Sequence, residues 1–89
     1  MRMTQYRLVF RGSVQGVGFR ENFRQIAKRE GIKGWIRNLK DNQVEAVVQV
    51  ENLEAFIDKL RHEQFFRGMQ DLQQEEQHEE AFSGFEIRY

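Results

Sequence analysis

The chain contains no cysteine, so disulfides, thiolate metal sites and a cysteine nucleophile are all excluded. It contains no proline either, which leaves its turns to Gly, Asn and Asp. No apolar run approaches the roughly 20 residues needed to cross a bilayer. The opening Met1-Arg2-Met3-Thr4-Gln5-Tyr6 lacks the apolar stretch of a secretory signal. These absences predict a soluble, cytoplasmic protein with no membrane partner. Its 89 residues give room for one compact domain spanning 1–89, expected as a monomer. Eight Phe, one Trp and two Tyr supply large core-forming side chains.

The formal net charge of zero conceals an asymmetry. Residues 1–40 carry ten Lys/Arg against two Asp/Glu, a balance of +8, and residues 41–89 carry four against twelve, a balance of −8. A basic N-terminal half attracts anions, but cations spread this thinly do not make a nucleic-acid tail. Phosphate, carboxylate and polynucleotide all remain open on charge alone.

Hydrophobic periodicity gives the element order. Tyr6, Leu8 and Phe10 alternate with Arg7, Val9 and Arg11, the period-two pattern of a strand. Gly12-Ser13-Val14-Gln15-Gly16-Val17-Gly18 interrupts it with three glycines, a loop signal. Phe19, Phe23, Ile26 and Ala27 then share one face of a helix that ends before Gly31. Gly34 to Leu39 reads as a second strand, Lys40-Asp41-Asn42-Gln43 as a tight turn, and Val44 to Val50 as a third strand. In that third strand Val44, Ala46, Val48 and Val50 face one way, Glu45, Val47 and Gln49 the other. Asn52 caps a second helix with Leu53, Phe56, Ile57 and Leu60 on its apolar face. Met69 to Glu76 is polar enough to be an edge strand, Gln77 to Glu80 an acidic loop, and Phe85, Ile87 and Tyr89 mark a final strand. The predicted fold is α+β: a ferredoxin-like split βαββαβ sandwich, an antiparallel sheet with two helices on one face, plus an extra C-terminal strand. That architecture hosts many functions and names none.

The chemistry concentrates in the first loop. A Gly-rich turn delivered to a helix N-terminus aims unpaired N–H groups at one spot, where the helix dipole adds positive charge. Gly16 and Gly18 let the backbone close on a small ion, and Arg20 can add a planar fork of donors. On the residues alone, a bare turn with Arg20 as an ordinary surface arginine fits as well. The loop is not G-x-x-x-x-G-K-[ST], and Glu21 stands where G-x-G-x-x-G needs its third Gly, so no nucleotide motif is present. Elsewhere, His62 and His78 fit solvated surface better than a metal site. Asp41 has no partner motif for a covalent phosphoryl acceptor. The run Glu75, Glu76, Glu79, Glu80 lacks the ligand order of a calcium loop, and Phe65-Phe66 reads as packing beneath the sheet edge.

The stretch Gly12-Ser13-Val14-Gln15-Gly16-Val17-Gly18-Phe19-Arg20, followed by Gly34-Trp35-Ile36-Arg37-Asn38, strongly resembles the acylphosphatase family. The likeness runs on to Phe85-Glu86-Ile87-Arg88-Tyr89 and covers essentially the whole chain. It implies hydrolysis of a small-molecule acyl phosphate to a carboxylate and inorganic phosphate, with no metal or other cofactor. It further implies that backbone N–H groups of Val14, Gln15, Gly16, Val17, Gly18 and Phe19 wrap the phosphate, that Arg20 binds its oxygens, and that Asn38 orients the attacking water. Leu39 stands where common animal members have Thr, and Asn42 replaces their turn Gly.

The chemistry is consistent with this residue set. A leaving carboxylate has a conjugate-acid pKa of about 4 and departs at neutral pH without a general acid. A loose phosphoryl-transfer transition state needs positioning and charge stabilisation above all. The alternatives on the same fold are a non-catalytic phosphate-sensing module and an RNA-binding module. The second expects aromatic stacking residues on the central strands, and Val44 to Val50 has none; no nucleic acid partner is expected.

Overall fold

The computed structural model describes residues 3–14, 18–78 and 81–89. Strands β1 (Thr4–Gly12), β2 (Lys33–Asn38), β3 (Gln43–Val50), β4 (Met69–Gln77) and β5 (Phe85–Ile87) form one sheet in the order β4-β1-β3-β2-β5. Helices α1 (Phe19–Arg29) and α2 (Leu53–Arg61) and a 3-10 turn at Gln64–Phe66 complete the fold. None of these helices is long and apolar enough to cross a membrane.

Each helix boundary has a local cause. Asn52 accepts the Ala55 N–H at 3.1 Å, as an N-cap residue should. At the end of α1, Gly31 N–H bonds to Lys28 O at 3.1 Å and Ile32 N–H to Ala27 O at 2.8 Å. These two bonds satisfy the last carbonyls in a Schellman arrangement. Between β2 and β3 the turn passes through Asp41 (φ 60°) and Asn42 (φ 58°), the residue types that tolerate left-handed backbone, and Leu39 N–H closes on Gln43 O.

The helix-facing side of the sheet presents Leu8, Phe10, Ile36, Val44, Ala46 and Val48, all fully buried against Phe19, Phe23, Ile26 and Ala27 of α1 and Leu53, Phe56, Ile57 and Leu60 of α2. Phe10 sits at the centre, its ring 5.5–5.7 Å from those of Phe19, Phe23 and Phe66. The Phe65-Phe66 pair therefore joins the core, as its reading from sequence required, through a 3-10 turn that the periodicity did not reveal.

One expectation is refined and another needs correction. The sheet is antiparallel except at one margin, where β5 runs parallel to β2. Strand parity explains this: β2 and β1 share a direction because each opposes β3, β4 opposes β1, and β5 reverses β4. Gln77 ends β4 rather than starting the acidic loop, because it pairs with Gln5; Glu79 and Glu80 lie outside the described residues. The sheet's helix-free face is buried in part as well: Glu45 and Val47, on the side of β3 opposite Val44, Ala46 and Val48, are 4% and 1% exposed.

What covers them comes from other strands. Arg7 of β1 and Arg37 of β2 both donate to the Glu45 carboxylate, Arg37 at 2.6 Å, and Arg7 reaches Glu75 of β4 at 3.4 Å. Trp35 lies under two guanidinium groups, those of Arg37 (5.3 Å) and Arg88 (4.7 Å). Burial by itself would raise the Glu45 pKa, but the hydrogen bonds and charges of Arg37 and Arg7 outweigh it and hold the carboxyl below its ordinary value of 4.5. A depressed folded-state pKa stabilises the fold fully above the unfolded value and loses that contribution as pH falls through the folded value. Glu45→Gln should therefore lower stability by about 1–2 kcal/mol at pH 7. Urea titrations at pH 7 and pH 3 should show the gap between native and variant shrinking at acid pH. A constant gap would mean that packing, not ionisation, is what Glu45 contributes.

Candidate active site

The loop after β1 is fixed at both ends by side chains that point away from it. At its start, Gly12 has φ 126°, and a Cβ there would lie 2.4 Å from Gly68 O and 2.9 Å from Gln70 N. Only glycine lets the two backbones approach so closely. Ser13 N–H then donates to Gly68 O at 2.9 Å, and Val14 N–H to Gly12 O at 2.9 Å, while the Val14 side chain is fully buried. At the far end Phe19 is 1% exposed among the rings of Phe10, Phe65 and Phe66. Val14 and Phe19 thus anchor the loop through their side chains and can meet a ligand only through backbone. Gln15, Gly16 and Val17 lie outside the described residues.

Gly18 is the N-cap of α1, in left-handed backbone at φ 74°, ψ 20°. It has no side chain to occupy the first N–H groups of the helix, and no side-chain cap bond is made there. Asn22 instead secures the other polarity: its N–H and its Nδ2 both donate to Gly18 O, at 3.0 and 2.8 Å. The donors at this end of α1 stay available to an anion, reinforced by the positive end of the dipole.

Two further elements converge on the same place. Arg20, in the first turn of α1, is half-buried. Among the described residues its guanidinium has one partner, the Tyr89 ring, whose centroid lies 5.0 Å away. Asn38, the last residue of β2, is exposed. A cleft of about 230 Å³ is lined by Val14, Gly18, Phe19, Arg20, Glu21, Asn38, Ile87 and Tyr89. The structure thus brings together Val14, Gly18, Phe19, Arg20 and Asn38 of the residues singled out from the sequence. A wider hollow of about 670 Å³ lies between Arg11, Gly12, Ser13, Asp41, Asn42, Gln70 and Asp71. It offers two carboxylates against one arginine and no helix N-terminus, so the smaller cleft is the better anion site.

Ile87 and Tyr89 were not among the site residues inferred from sequence, nor was Glu21, whose carboxylate accepts from Arg24 at 2.9 Å. The presence of Ile87 and Tyr89 follows from the parallel pairing of β5 with β2. Ile36 lies opposite Ile87, and Arg88 N–H donates to Ile36 O at 2.8 Å. Continuing that register two residues sets Tyr89 beside Asn38. Gly68 was missed as well; its part is to receive the backbone of Gly12 and Ser13, a contact that no local pattern encodes.

Comparison with known proteins bears on the family and the fold. The family model described as Acylphosphatase matches residues 6–87. The chain is 33% identical over 91 aligned positions to an acylphosphatase of Haloarcula marismortui, covering all of both chains. It is 40% identical to one of Aeropyrum pernix, covering 98% of this chain and 90% of the other. The crystal structure of acylphosphatase from Bacillus subtilis superposes with a TM-score of 0.83 at 29% identity, covering 98% of this chain and all of that one.

Proposed function

This chain belongs to the acylphosphatase family, and from that premise we propose how its own residues hydrolyse an acyl phosphate. The single observation that carries the reading is the convergence of Arg20, Asn38 and the uncapped start of α1 on one cleft. The phosphoryl group sits at the helix start, its oxygens taking N–H groups of Gly18 and Phe19 and of Gln15, Gly16 and Val17 before them. Val14 N–H already serves Gly12 O, so this residue mainly sets the loop's entry. Arg20 keeps its in-plane N–H groups for the same oxygens and neutralises charge on them in the transition state.

Asn38 binds the attacking water. Its amide both donates and accepts, so it can fix the water's position and leave a lone pair directed at phosphorus. A new bond forms from the water oxygen to phosphorus as the bond from phosphorus to the acyl oxygen breaks. The electron pair of that bond leaves with the carboxylate, and the water's proton passes to solvent or to the phosphate product. A carboxylate with a conjugate-acid pKa of about 4 needs no proton to depart, so the reaction does not call for a general acid.

The test is release of phosphate from benzoyl phosphate in excess EDTA by the native chain and by Asn38→Ala. Native turnover should be unchanged by EDTA, and the variant should lose about 10²-fold or more in kcat while binding inorganic phosphate as before. Native activity abolished by EDTA would overturn metal-free chemistry. A variant with native kcat would remove Asn38 from the water's path.

A further inference from the structure

We propose that the Tyr89 ring is the platform on which the acyl group of the substrate lies, so that this cleft selects flat, uncharged acyl groups. The inference rests on the reading of the Arg20 cleft given above and names which acyl phosphates it favours.

Tyr89 is fully exposed, yet it lines the cleft and stands over the Arg20 guanidinium at 5.0 Å. A guanidinium resting over an aromatic ring uses its face and retains its N–H groups, which lie in its own plane. The phosphate held by those N–H groups is joined to the acyl carbon through a single bridging oxygen. The acyl group is therefore confined to the walls of the same small cleft. Of those walls, Gly18 and Asn38 present polar groups, and Val14 and Phe19 have their side chains turned into the core. Among the described residues, Tyr89 and the half-buried Ile87 are the apolar surfaces left for a substrate.

Charge limits the choice further. Glu21 belongs to the same lining, its carboxylate accepting from Arg24 at 2.9 Å and from Gln25 at 3.4 Å. A free carboxylate on the substrate's acyl chain would approach a like charge on this side of the cleft, whereas a neutral ring would stack on Tyr89. The favoured substrate class is an aromatic or similarly planar, uncharged acyl phosphate, ahead of a small aliphatic or a dicarboxylic one.

The experiment compares kcat/KM for benzoyl, acetyl and succinyl phosphate in the native chain, Tyr89→Phe, Tyr89→Leu, Glu21→Gln and Arg20→Ala. Aromatic pairs are strong enough that Tyr89→Leu should lower the benzoyl-to-acetyl ratio roughly 3- to 10-fold. Tyr89→Phe should keep the ratio within about twofold, because the ring and not the hydroxyl carries the effect. Glu21→Gln should raise succinyl phosphate relative to acetyl phosphate. An equal fall on benzoyl and acetyl phosphate in Tyr89→Leu would mean that the ring only supports Arg20, and would overturn the proposal. So would an unchanged ratio. Those failures leave Arg20→Ala inactive, whereas an active Arg20→Ala would overturn the location of the site itself.

Discussion

Arg20→Ala should leave a folded chain that hydrolyses benzoyl phosphate at least about 10²–10³-fold more slowly, the loss seen when one preorganised donor to a developing oxyanion is removed. The size of the effect follows from what Arg20 is asked to do. It offers a planar fork and a full positive charge, where each loop amide offers one dipole. Its side chain contributes nothing to the hydrophobic core, and the neighbouring Phe19 supplies the packing that starts α1. The substitution should therefore shift the thermal midpoint by a few degrees at most. Arg20→Lys separates charge from geometry: it restores the charge without the fork and should recover only part of the rate. Turnover of Arg20→Ala within tenfold of native would take Arg20 out of the reaction.

The largest effect on stability is expected at Phe10. Its ring is fully buried and meets three others, two from the first half of α1's apolar face and one from the 3-10 turn. Phe10→Ala should destabilise by about 3–5 kcal/mol, transfer and cavity contributions together. A chain of 89 residues has a total stability on the order of 4–13 kcal/mol at 0.05–0.15 kcal/mol per residue. The variant should therefore melt at least about 12 °C lower. Urea denaturation followed by far-UV circular dichroism measures it. Because Phe19 leans on Phe10 at 5.5 Å, the folded fraction of the variant should also lose some activity through a looser start of α1. A loss below about 1 kcal/mol would mean that the neighbouring rings close the gap.

The residues that write their structure locally were legible in the sequence. Phe19, Phe23, Ile26 and Ala27 on α1, the Asn52 cap and the Asp41-Asn42 turn each act through neighbours a few positions away. Glu45 and Val47 were not legible. Alternation assigns them to a face but cannot say that Arg7, Arg37 and Trp35 will cover that face from two other strands. Tyr89 is the counterpart in the site. Its alternation with Phe85 and Ile87 marked a strand, whereas its place beside Arg20 depends on which free edge β5 adopts, and only the assembled sheet decides that. The Gly12 approach to Gly68 joins residues far apart in sequence for the same reason. Arg20 and Asn38 stand out in the sequence because one ends a contiguous, distinctive run and the other lies at a strand end, and both line the same cleft.

The position of β1 in the sheet also governs how the fold is reached. It is the first strand made, yet its two neighbours are β3 and β4, so its ladder waits for Gln43–Val50 and then for Met69–Gln77. Each pairing closes a long loop before any contact rewards it, which slows folding relative to a chain of local contacts. On the ribosome, Leu8, Val9 and Phe10 remain without both partners until residues 69–77 have emerged. The sheet therefore closes only once residues 69–77 are available, and until then β1 carries an unpaired edge open to capture by another chain.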